Sequence, residues 1–483
     1  MGSWQVAVEL VDDPQKPVFR QIAGAIQTDI ERGRLRPGER LPSSRTLSVQ
    51  LGVNRNTVIA AYDELRALGW VAGQPARGMF VASAVDPGPP SFDVGAVPPP
   101  GAGYDLPVSE VPELGPSRAP GLLVLLGGVP ELRFLPHVEL ARAYRKVLKG
   151  AGARQLVDYA DPHGDERLRS ALGELLARVR GVPAANESIC VVRGGQAGIY
   201  LAARALLRPG DVVAVEEVGY RPAWQALRLA GARLVSTPVD DQGLDVDALQ
   251  ARCAGERLRA VYLTPHHQCP TTVTLSPERR RKLLALAAAE RLIVFEDDYD
   301  FEFHYDGRPV LPMASTDTAG VVVYLGTMSK SLAPGLRIGY VVAPPAVVRR
   351  IAAYRSYVDR QGDQVLERAV AMLLEDGVLQ HHARRALRAY RARRDLLCQL
   401  LAKKLPRLSF RPPTGGMAVW AHAPGVDVDR WVECGLEAGV AFQSARRFTF
   451  DGEAREFVRI GFAACDAQEL AEATRRMVAT LPK

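Results

Sequence analysis

The stretch that decides the fold runs from residue 324 to residue 343 and reads YLGTMSKSLAPGLRIGYVVA. Two apolar runs with strand character flank a short polar segment, which predicts two strands joined by a hairpin. Lys330 lies in that segment beside Thr327 and Ser329, and Arg337 follows it. A lysine amine can form a Schiff base with an aldehyde, while hydroxyl groups and a planar guanidinium suit a phosphate. The stretch therefore indicates a pyridoxal 5′-phosphate site, although alone it also fits a surface lysine in a serine-rich turn.

The composition is that of a globular protein with more than one domain. The chain has 483 residues, beyond the size at which single cores stop growing, and 47% are hydrophobic and 24% charged. The net charge of +7 is a mild indication of a polyanionic partner. The cysteines form no CxxC pair, and neither a signal peptide nor an apolar run of about 20 residues is apparent. We therefore expect a cytoplasmic protein without disulfides or membrane spans.

From residue 122 onward, strand-like apolar runs alternate with amphipathic helical segments. This alternation predicts an α/β domain with a mostly parallel sheet covered by helices. Binding sites in such sheets form where the strands end, so the residues that follow each strand are the candidate site. The predicted strands are residues 188–192, 212–216, 260–264, 292–296, 321–325 and 339–343.

Three of these strand ends carry residues suited to a flat, phosphorylated cofactor. A glycine pair ending at Gly195 precedes a helix that we expect to begin near Gln196, and such a helix N-terminus can cradle a phosphate. Tyr220 could stack on a ring, Asp297 could hold a protonated pyridine nitrogen, and Tyr299 could donate to a ring oxygen. Taken singly, each signal has an ordinary alternative: a tight turn, a packed loop tyrosine, or an acidic surface loop.

The adjacent histidines His266 and His267 follow the third predicted strand. Paired imidazoles are potential metal ligands. No third ligand lies at a suitable spacing from them in the sequence, so we expect no metal site.

Arg459 lies in FVRIGFA, residues 457–463, an alternating run in which Phe457, Arg459 and Gly461 share one face. An arginine there is costly to bury unless a carboxylate or a phosphate pairs with it. Because Arg337 and the glycine turn already serve a phosphate, the remaining partner is the carboxylate of an effector. The alternative is a structural ion pair with an acid of the same domain.

The N-terminal segment contains helices and a glycine turn in the order of a helix-turn-helix. Residues 17–31 place apolar side chains at helical spacing. Ser43 can cap a short second helix, and Gly52 supplies the turn. Asn54 can cap a third helix, which we expect to stop at Gly69.

The following residues, WVAGQPARGMFVAS at 70–83, predict a two-stranded wing with Arg77 at its tip. Six arginines and a single acid lie between residues 32 and 55, which favours a nucleic-acid surface over a plain helical hairpin for protein contacts. The run LPSSRTLSVQLGVNRNTVIAAYDELRALGW followed by GMFV resembles the GntR-type winged helix, which implies binding to double-stranded operator DNA as a dimer. The resemblance implies these DNA contacts: Ser44, Arg45, Arg55, Asn56, Thr57, Arg77 and Gly78.

Residues 84–120 hold 10 prolines among 37 residues and favour an extended, semi-rigid spacer. We therefore predict a DNA-binding domain at 1–83, a linker at 84–120 and a large domain at 121–483. The linker should let the DNA-binding domain reach across a partner subunit.

The large domain resembles the fold-type I aminotransferases over about residues 122–483. The resemblance rests on YADPHGDERLRSAL, VVRGGQAG, VEEVGY, TPHHQCPTT, EDDYDFEF, GTMSKSLAPGLRIGY, PTGGMAVW and FVRIGFA. It implies a large α/β part with a small α+β subdomain and pyridoxal 5′-phosphate as cofactor. It also implies Lys330 as the Schiff-base lysine, Asp297 at the pyridine nitrogen, Tyr299 at the 3-oxygen and Tyr220 on the ring.

The same resemblance implies that Arg459 binds an amino-acid carboxylate. It implies further cofactor contacts from Gly195, Gln196, Thr327, Ser329, Arg337 and Tyr159 of the partner subunit. One departure stands out, because the family usually has Asn-Pro-Thr-Gly where this chain has Cys269-Pro270-Thr271-Thr272. A thiol is a weak hydrogen-bond donor, so we expect inefficient transamination.

A winged helix, a proline-rich linker and an aminotransferase-like domain in one chain resemble the MocR/GabR family of bacterial transcription regulators. The resemblance implies a homodimer, with head-to-tail domain swapping as one arrangement. It implies that DNA binding responds to pyridoxal 5′-phosphate or to an amine or amino-acid effector that reacts at Lys330. Two alternatives stay open: a working aminotransferase that carries a DNA-binding head, and a DNA-binding protein whose large domain only dimerises.

Overall fold

The chain divides into two units, Met1–Glu113 and Leu114–Lys483. The computed structural model describes residue 10 and residues 17–74, 77–82, 103–105 and 121–482. Of the predicted linker at 84–120, only residues 103–105 are among those described, so its extended character stays a prediction. Among the described residues, no helix is long and apolar enough to cross a membrane.

The first unit is a winged helix-turn-helix, as the sequence predicts. Ser43 accepts a hydrogen bond from the Thr46 N–H at 3.1 Å, and Asn54 accepts one from the Asn56 N–H at 2.9 Å, so each cap begins a helix where expected. Gly52 makes the turn between them in a left-handed conformation, with φ 65°. The elements are α1 Val18–Glu31, α2 Ser44–Leu51, α3 Arg55–Ala67, β1 Val71–Gln74 and β2 Gly78–Val81.

The core of this unit is made by the apolar stripes of the three helices and by one end of the wing. Ile22 and Ile26 of α1, Leu47 of α2, and Val58 and Leu65 of α3 are each fully buried. The polar first turns of α2 and α3 are left on the outside.

The second unit contains a seven-stranded sheet, a four-stranded antiparallel sheet and two short strand pairs. The four-stranded sheet has the order β13-β14-β17-β16, and β3 pairs with β15 in parallel. The strands are β3 Leu123–Val124, β4 Ile189–Val192, β5 Val212–Glu216, β6 Arg233–Thr237, β7 Val239–Asp240, β8 Gly243–Leu244, β9 Leu258–Leu263, β10 Ile293–Asp298, β11 Val322–Thr327, β12 Gly339–Val342, β13 Ser409–Phe410, β14 Ala418–His422, β15 Val440–Ala441, β16 Gln443–Ser444 and β17 Phe457–Gly461.

The large sheet has the order β4-β12-β11-β10-β9-β5-β6. Only β12 runs antiparallel to its neighbours, so the prediction of a mostly parallel sheet is confirmed. The sequence missed β6, because this strand lies at the sheet edge and its side chains are mostly half-buried rather than uniformly apolar.

Helices cover the large sheet and pack against the small one. The large sheet is buried between two apolar clusters, one on each face, and a third cluster lies between the small sheet and its helices. The helices are α4 His137–Lys149, α5 Ala153–Leu156, α6 Glu166–Leu175, α7 Gly194–Leu206, α8 Arg221–Leu229, α9 Val246–Gly255, α10 Pro277–Glu290, α11 Pro345–Val358, α12 Gln364–Glu375, α13 Val378–Lys404, α14 Val428–Glu437 and α15 Ala467–Ala479.

Candidate functional sites

The lysine hairpin lies at the end of β11, where the strand leaves the middle of the large sheet. Thr327 donates to Ser329 Oγ at 3.0 Å and accepts the Ser329 N–H at 3.1 Å, so the two hydroxyls fix the start of the turn. Lys330 follows directly, and burial, followed by the nearby Arg459, lowers the pKa of its amine. A less basic lysine is a better nucleophile toward an aldehyde.

Asp297 lies near the end of β10, next to β11 in the sheet. It is buried and accepts a hydrogen bond from the Tyr262 hydroxyl at 2.6 Å. Burial raises the pKa of Asp297 to about 7, and the bond from Tyr262 opposes that rise. Neighbouring Asp298 and Asp300 are also buried, so this segment is not the acidic surface loop considered above.

The glycine turn after β4 faces the lysine hairpin. Helix α7 begins at Gly194, two residues before the predicted start. A Cβ on Gly194 would lie 2.8 Å from Arg337 Nη2, so this glycine permits the close approach of the arginine, whereas a Cβ on Gly195 would make only an ordinary contact with the Thr327 Cβ at 3.7 Å. The Gln196 side chain donates to the Pro222 carbonyl at 2.6 Å and is turned toward that loop. Its contribution to a phosphate would therefore come from the backbone at the helix N-terminus.

A second glycine pair, which the sequence analysis missed, lies between Lys330 and Arg459. A Cβ on Gly127 would lie 2.6 Å from Arg459 Cζ, and a Cβ on Gly128 would lie 3.5 Å from Lys330 Nζ. Any side chain at Gly127 would therefore displace the arginine. The run LLGGVP at 125–130 lies outside the aminotransferase-like motifs quoted above, and only the fold brings it to the site.

Arg459 is buried on β17, where Trp420 and Gln443 are its partners on the two flanking strands. Its guanidinium lies over the Phe448 ring at 5.4 Å. Its Nε has no hydrogen-bond partner among the described residues, and the residue takes part in none of the ion pairs found there. The structural ion pair considered above is thus not seen in the described part of the chain.

The two candidate tyrosines of the site differ in their surroundings. Tyr220 occupies the N-cap position of α8, where its side chain makes no capping hydrogen bond. The residue is 36% exposed, and the burial of the rest of it raises the pKa of the phenol to about 12. Tyr299 donates to the His267 carbonyl at 2.9 Å, and burial raises the pKa of its phenol. Both phenols are therefore neutral donors at physiological pH.

The loop that replaces the usual Asn-Pro-Thr-Gly run is buried beside these tyrosines. The Cys269 N–H donates to Thr264 Oγ1 at 2.9 Å, and burial raises the pKa of the thiol to about 11. Thr272 adopts φ 64°, a left-handed conformation that a β-branched residue rarely takes and that glycine would take readily. The thiol is therefore neutral and a poor substitute for an amide donor.

Tyr159 lies outside this group of side chains. It is 74% exposed, and its ring contacts the Arg360 guanidinium at 4.2 Å. Its role as a cofactor contact would thus require a second subunit and stays a prediction.

One further residue that the sequence analysis missed is His304, which the fold brings to His266 and His267. The three imidazoles offer ring nitrogens that lie within 4.8 Å of one another. The third ligand had no recognisable spacing in the sequence because it lies beyond the next strand, β10, whereas the pair follows β9.

In the first unit, the predicted DNA contacts lie in the first turns of α2 and α3 and in the wing. Arg45 and Arg55 are exposed and take part in none of the ion pairs formed by described residues, and the Arg55 Nε donates to Ser44 Oγ at 3.3 Å. Asn56 is exposed beside Arg55, whereas Thr57 is half-buried. In the wing, Arg77 is exposed and Gly78 has φ 108°, a conformation that requires glycine.

Comparisons with known proteins agree with both units. The aminotransferase class I and II model matches residues 131–477, and the model for bacterial regulatory proteins of the gntR family matches residues 19–81. The HTH-type transcriptional regulator TauR of Rhodobacter capsulatus is 32% identical over 93% of this chain and 93% of its own. The probable rhizopine catabolism regulatory protein MocR of Rhizobium meliloti is 30% identical over 95% and 93%, respectively. The chain belongs to the MocR-type transcription regulators.

Solved structures of aminotransferases match the large domain of this regulator. One is the α-aminoadipate aminotransferase of Thermus thermophilus, complexed with N-(5′-phosphopyridoxyl)-L-leucine. It is 28% identical with a TM-score of 0.70, and the match covers 75% of this chain and 92% of that one. The prediction of an aminotransferase-like domain of fold type I joined to a GntR-type winged helix is confirmed.

Pyridoxal 5′-phosphate is the cofactor of this MocR-type regulator, and the residues present fit it. Gly194 leaves room for Arg337 at the N-terminus of α7, which is a cradle for a phosphate. Asp297 is a buried carboxyl with a raised pKa, which a protonated ring nitrogen would restore to its charged form. When bound, the cofactor supplies an aldehyde that reacts with amines and an electron-withdrawing ring.

Proposed function

We propose that this regulator senses an amine that carries a carboxylate, with pyridoxal 5′-phosphate itself as a second possible signal, and changes its binding to operator DNA in response. The observation that carries the proposal is Arg459, a buried guanidinium without an acidic partner among the described residues. A buried cation that makes no ion pair is costly, so such a site favours an anionic ligand.

The positions of Arg459 and Lys330 support an effector with both groups. Consecutive glycines, Gly127 and Gly128, lie against the two side chains, so the arginine and the lysine border the same space. An amino acid could place its amine at Lys330 and its carboxylate on the guanidinium fork. An effector that binds one arrangement of the DNA-binding heads better than another would shift operator affinity.

Arg459→Ala should keep the cofactor absorbance and the basal DNA affinity but lose the response to carboxylated amines. The change removes the carboxylate partner without touching the phosphate cradle, and Arg459→Lys should rescue poorly because an ammonium cannot form two parallel bonds. The measurement is a spectral titration with a panel of amino acids, repeated as an operator-binding assay.

Arg430→Ala is the matched control, since Arg430 is an exposed arginine of α14 that pairs with Glu433. It should respond as the parent does. If Arg459→Ala still responds fully while holding its cofactor, the arginine is structural and the proposed effector site is wrong.

Sustained transamination is the second candidate function, and the likeness to aminotransferases favours it. The buried, neutral Cys269 thiol argues for a low rate, with a single half-reaction as the residual activity. A steady-state assay with an amino acid and a 2-oxo acid distinguishes a regulator that only senses the amino acid from a sustained aminotransferase. Turnover in the ordinary enzyme range, about 1–1000 per second, would favour the enzyme.

We further propose that the regulator acts as a homodimer through the surface around Tyr159 and Tyr357. These tyrosines are 74% and 90% exposed, and Val157 and Val358 next to them are 70% and 57% exposed. Such an apolar surface suits a second copy of the chain, in which Tyr159 of the partner subunit would reach the cofactor phosphate.

Tyr159→Ala should weaken cofactor binding, and Tyr357→Asp should shift sedimentation toward the monomer because it places a charge in the proposed contact. Leu229→Asp is the control, since it places the same charge at another exposed apolar residue, 75% exposed, on helix α8. A parent protein that sediments as a monomer would contradict the proposed homodimer.

A further inference from the structure

The cluster of His266, His267 and His304 adjoins the cofactor site, since the His267 carbonyl accepts from Tyr299, but its three imidazole rings have no assigned role. His266 and His267 are 3% and 1% exposed, and His304 is half-buried. The rings of His266 and His267 meet edge to face with centroids 4.4 Å apart, and His304 stacks parallel to His267 at 5.9 Å. One ring nitrogen from each residue lies within 4.8 Å of those of the other two.

Four of the six ring nitrogens of the cluster have no hydrogen-bond partner among the described residues. Among the described residues, none is found for either ring nitrogen of His266, for His267 Nε2 or for His304 Nδ1. Buried polar atoms are nearly always paired, so an unpaired set indicates an ion or a water. Each of the three rings can offer one nitrogen to a common ligand.

Asp300 adds a second, independent indication. Its Oδ1 lies 2.7 Å from His267 Nδ1, and both side chains are buried. A carboxylate on one ring nitrogen fixes the tautomer and leaves the other nitrogen, Nε2, with its lone pair free. This carboxylate–histidine pair is the usual support of a metal-bound imidazole.

We propose that His266, His267 and His304 bind one divalent transition-metal ion of the zinc class. Three neutral imidazoles suit zinc and its neighbours rather than magnesium or calcium, which prefer oxygen ligands. Zn–N bonds of about 2.0–2.1 Å in a tetrahedron place the nitrogens about 3.3 Å apart, so ring nitrogens that lie within 4.8 Å of one another would close by up to about 1.5 Å.

The surroundings provide an entry path and a fourth ligand position. His304 lines a cavity of about 320 Å³, together with Arg180, Phe301, Met328 and Leu332. A three-histidine site with one face on a cavity keeps a position open for water or for a small anion. Thr327 and Ser331 of the lysine hairpin line the same cavity, so the cavity borders both the cluster and the hairpin.

The local charges permit a dication despite two nearby arginines. Arg180 and Arg280 both lower the pKa of His266, but Arg180 is paired with Asp298 and Glu302, and Arg280 with Glu296. Asp300 remains as the acid in direct contact with the cluster, and its Oδ2 has no partner among the described side chains.

The test is a Zn²⁺ titration of the full-length, cofactor-loaded protein after tag removal and chelator treatment, with a chromophoric competitor. We expect one tight site per chain, weakened at least ~100-fold in His266→Gln and in His304→Gln, since each removes a ligand. His381→Gln, at an exposed histidine of α13, is the control and should bind as the parent does. Asp300→Asn should weaken binding by about 10–100-fold without removing it.

Two further measurements distinguish a metal site in the protein from metal bound to the cofactor. Co²⁺ added to the parent should give the visible bands of a tetrahedral nitrogen site, and Lys330→Ala without cofactor should retain the metal, which excludes binding to the cofactor itself. Unchanged cofactor absorbance in the glutamine variants shows that they are folded. A parent without a stoichiometric site, or glutamine variants that bind like the parent, would overturn the proposal.

Discussion

Glu216 and Asp297 are buried carboxyl groups at strand ends of the large sheet, and each has a pKa near physiological pH. Burial raises the pKa of Glu216 to about 8, against hydrogen bonds from the Thr264 hydroxyl at 3.0 Å and the Thr264 N–H at 3.2 Å. Burial likewise raises the pKa of Asp297 to about 7. Both groups therefore bind protons in the folded state that the unfolded chain has already released.

The raised pKa of Glu216 determines how its contribution to the free energy of unfolding changes with pH. Its folded pKa lies above the unfolded value of 4.5, so the folded state loses stability relative to the unfolded state as pH rises from about 4.5 to 8. Glutamine does not ionise, so the stability of the parent minus that of Glu216→Gln should fall over this range, by as much as a few kcal/mol. Thermal melts of the cofactor-free proteins at pH 5, 6.5 and 8 measure it, and a constant difference would mean that the folded pKa is not raised.

The sequence predicts the residues whose local context carries the chemistry and misses those that only the fold brings near. The structure places Lys330, Asp297, Tyr220 and Tyr299 in one region, and their assigned roles stay predictions. Tyr262 donates to Asp297 from a neighbouring strand, and neither it nor His304 has a spacing that reveals its partner. Pairings across a sheet depend on strand order, which residue spacing does not contain.

At the scale of elements, helix bounds are predicted best where the sequence contains a capping residue or a turn glycine. Ser43, Gly52 and Asn54 each carry a local signal, and the helix-turn-helix begins and ends where they indicate. The edge strand β6 has no such signal, and half-buried side chains hide its period. The helix after the glycine turn begins at Gly194, whose left-handed conformation, with φ 77°, lets the chain turn from β4 into α7.

The first turns of α2 and α3 should carry the phosphate contacts. Arg45→Ala and Arg55→Ala should each weaken operator binding and reduce the slope of log affinity against log salt by about one unit, without changing cofactor content. Arg66→Ala is the control, because Arg66 lies at the other end of α3 and pairs with Asp63. Gel-shift titrations at several salt concentrations measure both quantities, and a parent-like slope in both variants would contradict the assignment.

At the scale of the whole molecule, two units with separate cores must communicate for regulation to occur. The winged helix is complete on its own core, and the large domain holds the cofactor site and the buried arginine. If the regulator acts as a homodimer, its two DNA-binding heads should recognise half-sites separated by about one helical turn (~34 Å) or a multiple of it.

The most direct test of this account compares operator affinity before and after borohydride reduction of the cofactor-loaded protein. Reduction should attach the cofactor permanently to Lys330, as peptide mass spectrometry would show, and so prevent exchange with an amine. Fluorescence anisotropy with an operator duplex, selected from random DNA by the full-length protein, reports the affinity as a panel of amino acids is added. The account predicts that the native protein responds to at least one carboxylated amine, while the reduced protein binds the operator but does not respond. An equal response of the two proteins, or attachment at another lysine, would contradict it.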